Sequence, residues 1–235
     1  MTLWLLNATL NCKAQQAQLI AQNALFNGLA AGIGAGINHK PFAPAFLVGA
    51  GCGVANFYAK KEIANAPVVG KVVDAISMNV VQNLSQGIPV FSRVSLPIGF
   101  LQVQYDKEGM KAYMRPFAVI GAIDAMNKGY SFNARESAKM CAFVFTSTSS
   151  KSFTTFNAVC IGTGVEASRL RQVKIHESVH AMQHNELSAV IPLQPLTKYH
   201  IWLDMPISSL LYELQPYHNN AFETESYFIG EGLNY

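Results

Sequence analysis

The stretch Ile175 to Glu186 reads I-H-E-S-V-H-A-M-Q-H-N-E and carries H-E-x-x-H at His176, Glu177 and His180. On a helix, side chains four residues apart stand one above the other, so the two imidazoles share a face and can share one metal ion. Glu177 follows the first of them directly. A carboxylate beside such an ion can take a proton from water and pass it to a leaving amine. The stretch is therefore a candidate hydrolytic centre with Glu177 as general base. It predicts a helix, with Leu170, Val173 and Ile175 as buried positions and Ser168 as N-cap.

A catalytic zinc takes three protein ligands and keeps one position open. Downstream, Asn219 to Phe228 reads N-N-A-F-E-T-E-S-Y-F and places Glu223 and Glu225 in an apolar and aromatic run. Two residues apart on a helix, they point roughly 200° from each other, so only one can face a metal. H-E-x-x-H followed by a glutamate on a later helix resembles the gluzincin metallopeptidases, whose third ligand opens an E-x-x-A-D type segment. Here Ser226 and Tyr227 stand at the alanine and aspartate places.

A closer resemblance is to small, mostly uncharacterised bacterial proteins that carry H-E-x-x-H-x-x-Q and then a segment like N-P-F-E-x-E-A-Y. Gln183 and A-F-E-T-E-S-Y match these, within the region Asn157 to Phe228. The resemblance implies a minimal zincin-like domain that binds Zn2+ through His176, His180 and Glu223, with Glu225 as the alternative ligand. On that expectation, replacing Glu225 leaves the metal nearly intact. It also implies a peptide or protein substrate, which the edge of a small sheet leading to the metal helix can bind by strand addition. Gln183, His184, Glu225, His218 and Tyr227 are candidates for orienting the ligands or stabilising an oxyanion. His184 lies about 12 Å along the helix axis from His176, too far to bind the same ion.

Only 13% of the 235 residues are charged and half are apolar, where soluble domains carry about 25% charge. The balance points to lipid or to a large buried interface. A net charge of +3 without an aromatic-interleaved basic patch argues against nucleic acid. The apolar excess is concentrated early: Lys13 and Lys40 are the only basic residues before Lys60, and the first acidic residue is Glu62. Met1 to Asn11, with Cys12 in a loosely lipobox-like place, is compatible with a signal or lipid-anchor remnant, although it lacks a basic start.

Leu19 to Ile37 and Phe42 to Tyr58 are small and apolar, separated by Asn38-His39-Lys40-Pro41. Gly28, Gly32 and Gly36 recur every fourth residue, and Gly49 and Gly53 repeat the spacing. Glycine costs about 1 kcal/mol in a helix interior, and close backbone approach between two helices gives a reason for it. The expectation is a glycine-faced helical hairpin, either membrane-associated or buried. Val68 to Gln86 then repeats apolar residues at helical spacing (Val69, Val72, Val73, Ile76, Val80, Leu84), which predicts an amphipathic helix with those residues in the core.

Beyond Pro89 the period shortens. Phe100 to Tyr105 and Met110 to Ile120 form a β-hairpin about Asp106-Lys107-Glu108-Gly109. Met140 to Thr148 and Phe153 to Ile161 are further strands, with Cys141 and Cys160 on neighbouring ones. Ile207 to Leu214 reads as a short helix. With no C-x-x-C among the four cysteines, a cysteine zinc site is not expected.

The fold expected is α+β: residues 1–88 a glycine-rich helical region associated with the membrane, residues 89–235 a zincin-like metal-binding domain. Two functions follow. One is a zinc metallopeptidase of the bacterial cell envelope. The other is an envelope structural or assembly component, with an envelope protein as partner, that keeps the fold without turnover.

Overall fold

The computed structural model describes residues 2–189 and 220–230. His218 and the helix expected at 207–214 lie outside them. The chain is a mixed α+β protein, with seven helices and seven strands among the described residues.

Helices α1 (Thr2–Ile37) and α2 (Phe42–Glu62) form the expected hairpin, turning through residues 38–41. The glycines of α2 let the two backbones meet. A methyl group on Gly49 would stand 2.5 Å from the Asn27 carbonyl oxygen, and one on Gly53 would press into the carbonyl of Asn23. Gly36 departs from the expected zipper, since nothing lies within 4 Å of where its side chain would be.

Helix α3 (Pro67–Ser85) forms as expected, and Val80 and Leu84 pack inward as read, but its N-terminal half departs from the amphipathic reading. Val69, Val72, Val73 and Ile76 are 37–54% exposed, while Asp74, Ser77, Asn79, Gln82 and Asn83 are buried. The polar face is inward because it has partners there. Asn79 accepts from the Ser95 backbone N–H at 2.7 Å and donates to the Ser95 carbonyl at 2.6 Å. Asn83 donates to the carbonyls of Val90 and Arg93. These bonds dock α3 on the antiparallel sheet β1 (Arg93–Ile98), β2 (Leu101–Asp106) and β3 (Gly109–Met114). The β2–β3 hairpin is the expected one, and its turn is held by the Asp106 carboxylate accepting from the Glu108 N–H at 2.8 Å.

The second half of the expected strand Met110 to Ile120 is instead helix α4 (Pro116–Asn127). Pro116 at the first helical position starts it, where a missing N–H costs nothing. Strand β4 (Ser131–Phe132) and helix α5 (Ala134–Met140), capped by Asn133 accepting from the Glu136 N–H, follow. Cys141 therefore ends a helix, exposed, and does not sit on a strand beside the buried Cys160; both thiols are free.

Strands β5 (Phe143–Ser147), β6 (Phe153–Thr155) and β7 (Ala158–Gly162) complete a mixed sheet in the order β4-β5-β7-β6. The single strand expected over Phe153 to Ile161 is broken at Phe156, whose backbone is left-handed (φ 50°). That break corrects a second expectation. The strand that runs into the H-E-x-x-H helix, β7, is interior, and the edge beside it is β6.

Helix α6 (Ala167–Ala189) begins one residue ahead of Ser168, the expected cap. It packs Ala181, Leu170 and Val173 on Met140, Val144, Val159 and Ile161, so the sheet core fixes how α6 is rotated. Helix α7 (Ala221–Gly230) lies against α6.

Candidate metal centre

Two helices supply the centre. On α6 the four-residue spacing stacks His176 above His180, with ring centroids 4.7 Å apart. On α7, Asn220 caps the first turn by accepting from the Phe222 N–H at 2.9 Å, and Glu223 follows in that turn. A carboxylate there is favoured by the unpaired N–H groups of the helix start. The far end of α7 can approach α6 because Gly230 has no side chain; a methyl group there would stand 3.0 Å from His176 Cβ.

Three donor atoms converge. His176 Nε2 and His180 Nε2 are 3.1 Å apart, and Glu223 Oε2 lies 3.4 Å from the first and 3.5 Å from the second. Ligands held 2.0–2.1 Å from a zinc at tetrahedral angles stand about 3.3–3.4 Å from one another. The triangle therefore has the size of one face of a zinc tetrahedron. Beyond these two long imidazole contacts, the buried Glu223 Oε2 makes no other hydrogen bond. These three residues are the one group of metal-binding geometry among the described residues.

Electrostatics agree with a cation-binding donor set. Burial disfavours charge on Glu223, yet the imidazoles of His176 and His180 hold its carboxyl down at about 2. Burial also works against a charge on His180, and the Glu223 and Glu177 carboxylates overcome it, raising the imidazole above its ordinary value. Metal-free, this centre draws in positive charge.

Glu177 is buried next to the histidines. Desolvation pushes its carboxyl above the ordinary range, against the pull of the two imidazoles. The hydroxyl of Thr154, on edge strand β6, lies 2.9 Å from Glu177 Oε2 and 2.8 Å from the Glu177 carbonyl oxygen.

The other expected site residues separate into distinct places. Gln183 faces His180, with Oε1 2.9 Å from Nδ1. Tyr227 packs its ring on His176 at 4.6 Å between centroids. Glu225 points away from the donor triangle, into a buried group of Asn23, Lys60 and Gln183. His184 is buried against Phe156, and burial, with Arg115 adding to it, lowers its imidazole to about 3, so it stays neutral.

Thr154 and Lys60 were not expected at the site. Thr154 stood in a reading of one continuous strand, and only the break at Phe156 turns β6 alongside α6. Lys60 had a legible signal: with Lys13 and Lys40 it is one of few cations in the apolar third of the chain. A scan against protein-family models, a search of curated proteins and a search of solved structures each returned no match.

Proposed function

We propose that this chain is a zinc-dependent metallopeptidase of minimal zincin-like fold, associated with the bacterial cell envelope and acting on a peptide or protein substrate. The observation that carries the reading is the triangle of His176, His180 and Glu223 at 3.1, 3.4 and 3.5 Å. When bound, zinc supplies the Lewis acidity that makes water a nucleophile near neutral pH. Glu177 is the proton acceptor, and its buried carboxyl has a raised affinity for that proton. Thr154 holds one carboxylate oxygen, which fixes the rotamer and leaves the other for proton transfer. Because Thr154 lies on the sheet edge, an extended peptide added along β6 would run past Glu177.

The outward apolar residues of α1, α2 and α3, among them Leu29, Ile33, Leu47, Val69 and Val72, support envelope association. They also favour the second reading, an envelope structural or assembly component that retains the fold, with or without the metal, and has no turnover. Metal analysis of the purified protein beside His176→Ala, followed by peptide-library hydrolysis by the parent and Glu177→Gln, separates the two. Zinc near one equivalent, lost in His176→Ala, with Glu177-dependent cleavage, is the peptidase result. Zinc without cleavage leaves the assembly role, and a parent that binds no zinc overturns the peptidase.

A further inference from the structure

Lys60 belongs to the apolar hairpin, yet its ammonium is wholly buried and its contacts lead to the metal centre. Nζ lies 2.8 Å from Asn23 Oδ1, 3.0 Å from Glu186 and 2.9 Å from Glu225 Oε2. An ammonium has three hydrogens, and three residues receive them. Glu225 in turn accepts from Asn23 Nδ2 at 2.7 Å on Oε1, and from Lys60 and from Gln183 Nε2, at 2.8 Å, on Oε2. With donors on both oxygens, Glu225 acts only as an acceptor.

That direction is passed on. Gln183 Nε2 donates to Glu225 and to the Phe222 carbonyl at 3.0 Å, so both of its N–H bonds point at groups that only accept. The amide cannot be reversed without setting its oxygen against those two oxygens. Its Oε1 must therefore face His180 Nδ1, 2.9 Å away. An amide oxygen only accepts, so Nδ1 carries the ring hydrogen. The Ser226 hydroxyl donates to the Phe222 carbonyl at 2.9 Å and leaves its oxygen toward the same Nδ1 at 3.3 Å, which agrees with this assignment. A neutral His180 with its hydrogen on Nδ1 presents a bare lone pair at Nε2, the atom that meets His176 and Glu223.

The geometry points to Lys60 as a positioning residue for the metal centre, acting through Glu225 and Gln183 to fix the tautomer and ring orientation of His180. This deepens the metal-site reading above and rests on it for its consequence, though not for the tautomer itself. Ligand-orienting partners of this kind are typically worth about 10–100-fold in metal affinity. The hairpin thereby contributes directly to the centre: α2 supplies Lys60 and α1 supplies Asn23.

The test uses full-length, metal-free protein with 15N-labelled histidine, held at a pH high enough that His180 is neutral, and reads the His180 tautomer from long-range proton–nitrogen spectra. Zinc affinity is measured separately by chelator competition. In the parent, His180 should hold its hydrogen on Nδ1. In Lys60→Met, Glu225 and the Gln183 amide lose their anchor, His180 should populate both tautomers, and zinc affinity should fall about 10–100-fold with circular dichroism unchanged. Should Lys60→Met fail to fold, Glu225→Met carries the test. It roughly keeps the volume but removes the acceptor that orients the Gln183 amide, and should scramble the same tautomer. A pure Nδ1–H tautomer and parental zinc affinity in a folded variant would overturn the proposal. A parent with the Nδ1–H tautomer, lost in the variants, but with no zinc binding at all would leave the relay standing and remove the metal-site reading instead.

Discussion

Glu223 and Glu225 stand two residues apart on α7 and serve opposite sides of it: Glu223 Oε2 faces the Nε2 atoms of His176 and His180, and Glu225 Oε2 faces the ammonium of Lys60. One side could hold a metal ion, and the other already holds a cation of the chain. Glu223→Ala should therefore abolish tight zinc binding, whereas Glu225→Ala should weaken it by about 10–100-fold through Gln183 and His180. This replaces the sequence-based expectation that Glu225 is nearly indifferent to the metal. Chelator competition on both variants checks the ranking, and equal losses would count against it.

Which side chains share a face within α6 and within α7 was legible because that spacing is local, whereas the pairing of the two helices and the choice of Glu223 came only from the resemblance. Four residues separate the histidines and two separate the glutamates, so helix geometry alone decides which side chains share a face. The glycine-faced hairpin was legible for the same reason, since Gly49 and Gly53 mark where α2 meets α1. What failed depended on distant partners. The inward turn of Asn79 and Asn83 requires the β1 strand to receive them. Thr154 reaches Glu177 only after the chain reverses at Phe156. Nor does anything near Lys60 in sequence announce Glu186 and Glu225, which lie 126 and 165 residues away.

Glu177→Gln should keep zinc and lose turnover. The amide preserves the shape beside the histidines but cannot accept a proton, and removing a general base costs about 10²–10⁴-fold in rate. Peptide hydrolysis at equal metal loading reads this directly. Thr154→Val, which removes the hydroxyl but not the general base, should lower the rate by a smaller factor; a loss as deep as that of Glu177→Gln would give Thr154 a larger part than holding a rotamer.

Gly53→Val should destabilise the protein by about 1–3 kcal/mol, the cost typical of overpacking. The added side chain presses on the Asn23 carbonyl and displaces the residue that joins Lys60 to Glu225. Gly51 is the internal control, because nothing lies within 4 Å of its missing side chain. Gly51→Ala should be neutral or stabilising by up to about 1 kcal/mol through helix propensity. Thermal melts of the pair test the close approach itself, and a similar response from both would show that α1 and α2 do not meet at Gly53.

Glu186 should make a contribution to stability that falls as pH rises through the weakly acidic to neutral range, while the buried neutral His184 works in the opposite sense below its ordinary value, so the effect is read as parent minus variant. Burial, the largest influence on Glu186, outweighs the attraction of Lys60 and lifts its carboxyl from an ordinary 4.5 to about 8, with Asp74 adding repulsion. A carboxyl with a raised folded-state pKa binds more protons folded than unfolded between those two values, so unfolding free energy declines with pH across that window and levels above it. Glu186→Gln removes this proton, so the stability of the parent minus that of the variant should decline between pH 5 and 8. Melting temperatures of the two proteins at matched ionic strength check the sign. A difference that rises over this range would show that Lys60 overcomes the burial of Glu186.

The outward valines of α3 carry the prediction on location. Helices α1, α2 and α3 each turn large apolar residues outward: Leu25, Leu29 and Ile33 on the first, Leu47 and Val48 on the second, Val69, Val72 and Ile76 on the third. Helix α2 is also long and apolar enough, at 21 residues, to cross a membrane, and it is the one such helix among the described residues. Water-facing valine and isoleucine on three helices cost free energy of about 25 cal/mol per Å2 of apolar surface, which contact with acyl chains would recover. The inward face of α3 cannot turn out to relieve this, because Asn79 and Asn83 are hydrogen-bonded to the β1 strand. The full-length protein should therefore sediment with neutral phosphatidylcholine vesicles, and Val72→Lys combined with Ile76→Lys should reduce that binding while leaving zinc content unchanged. Recovery of the parent as a detergent-free soluble monomer that ignores vesicles would remove the membrane from its function and leave the outward faces to a protein partner.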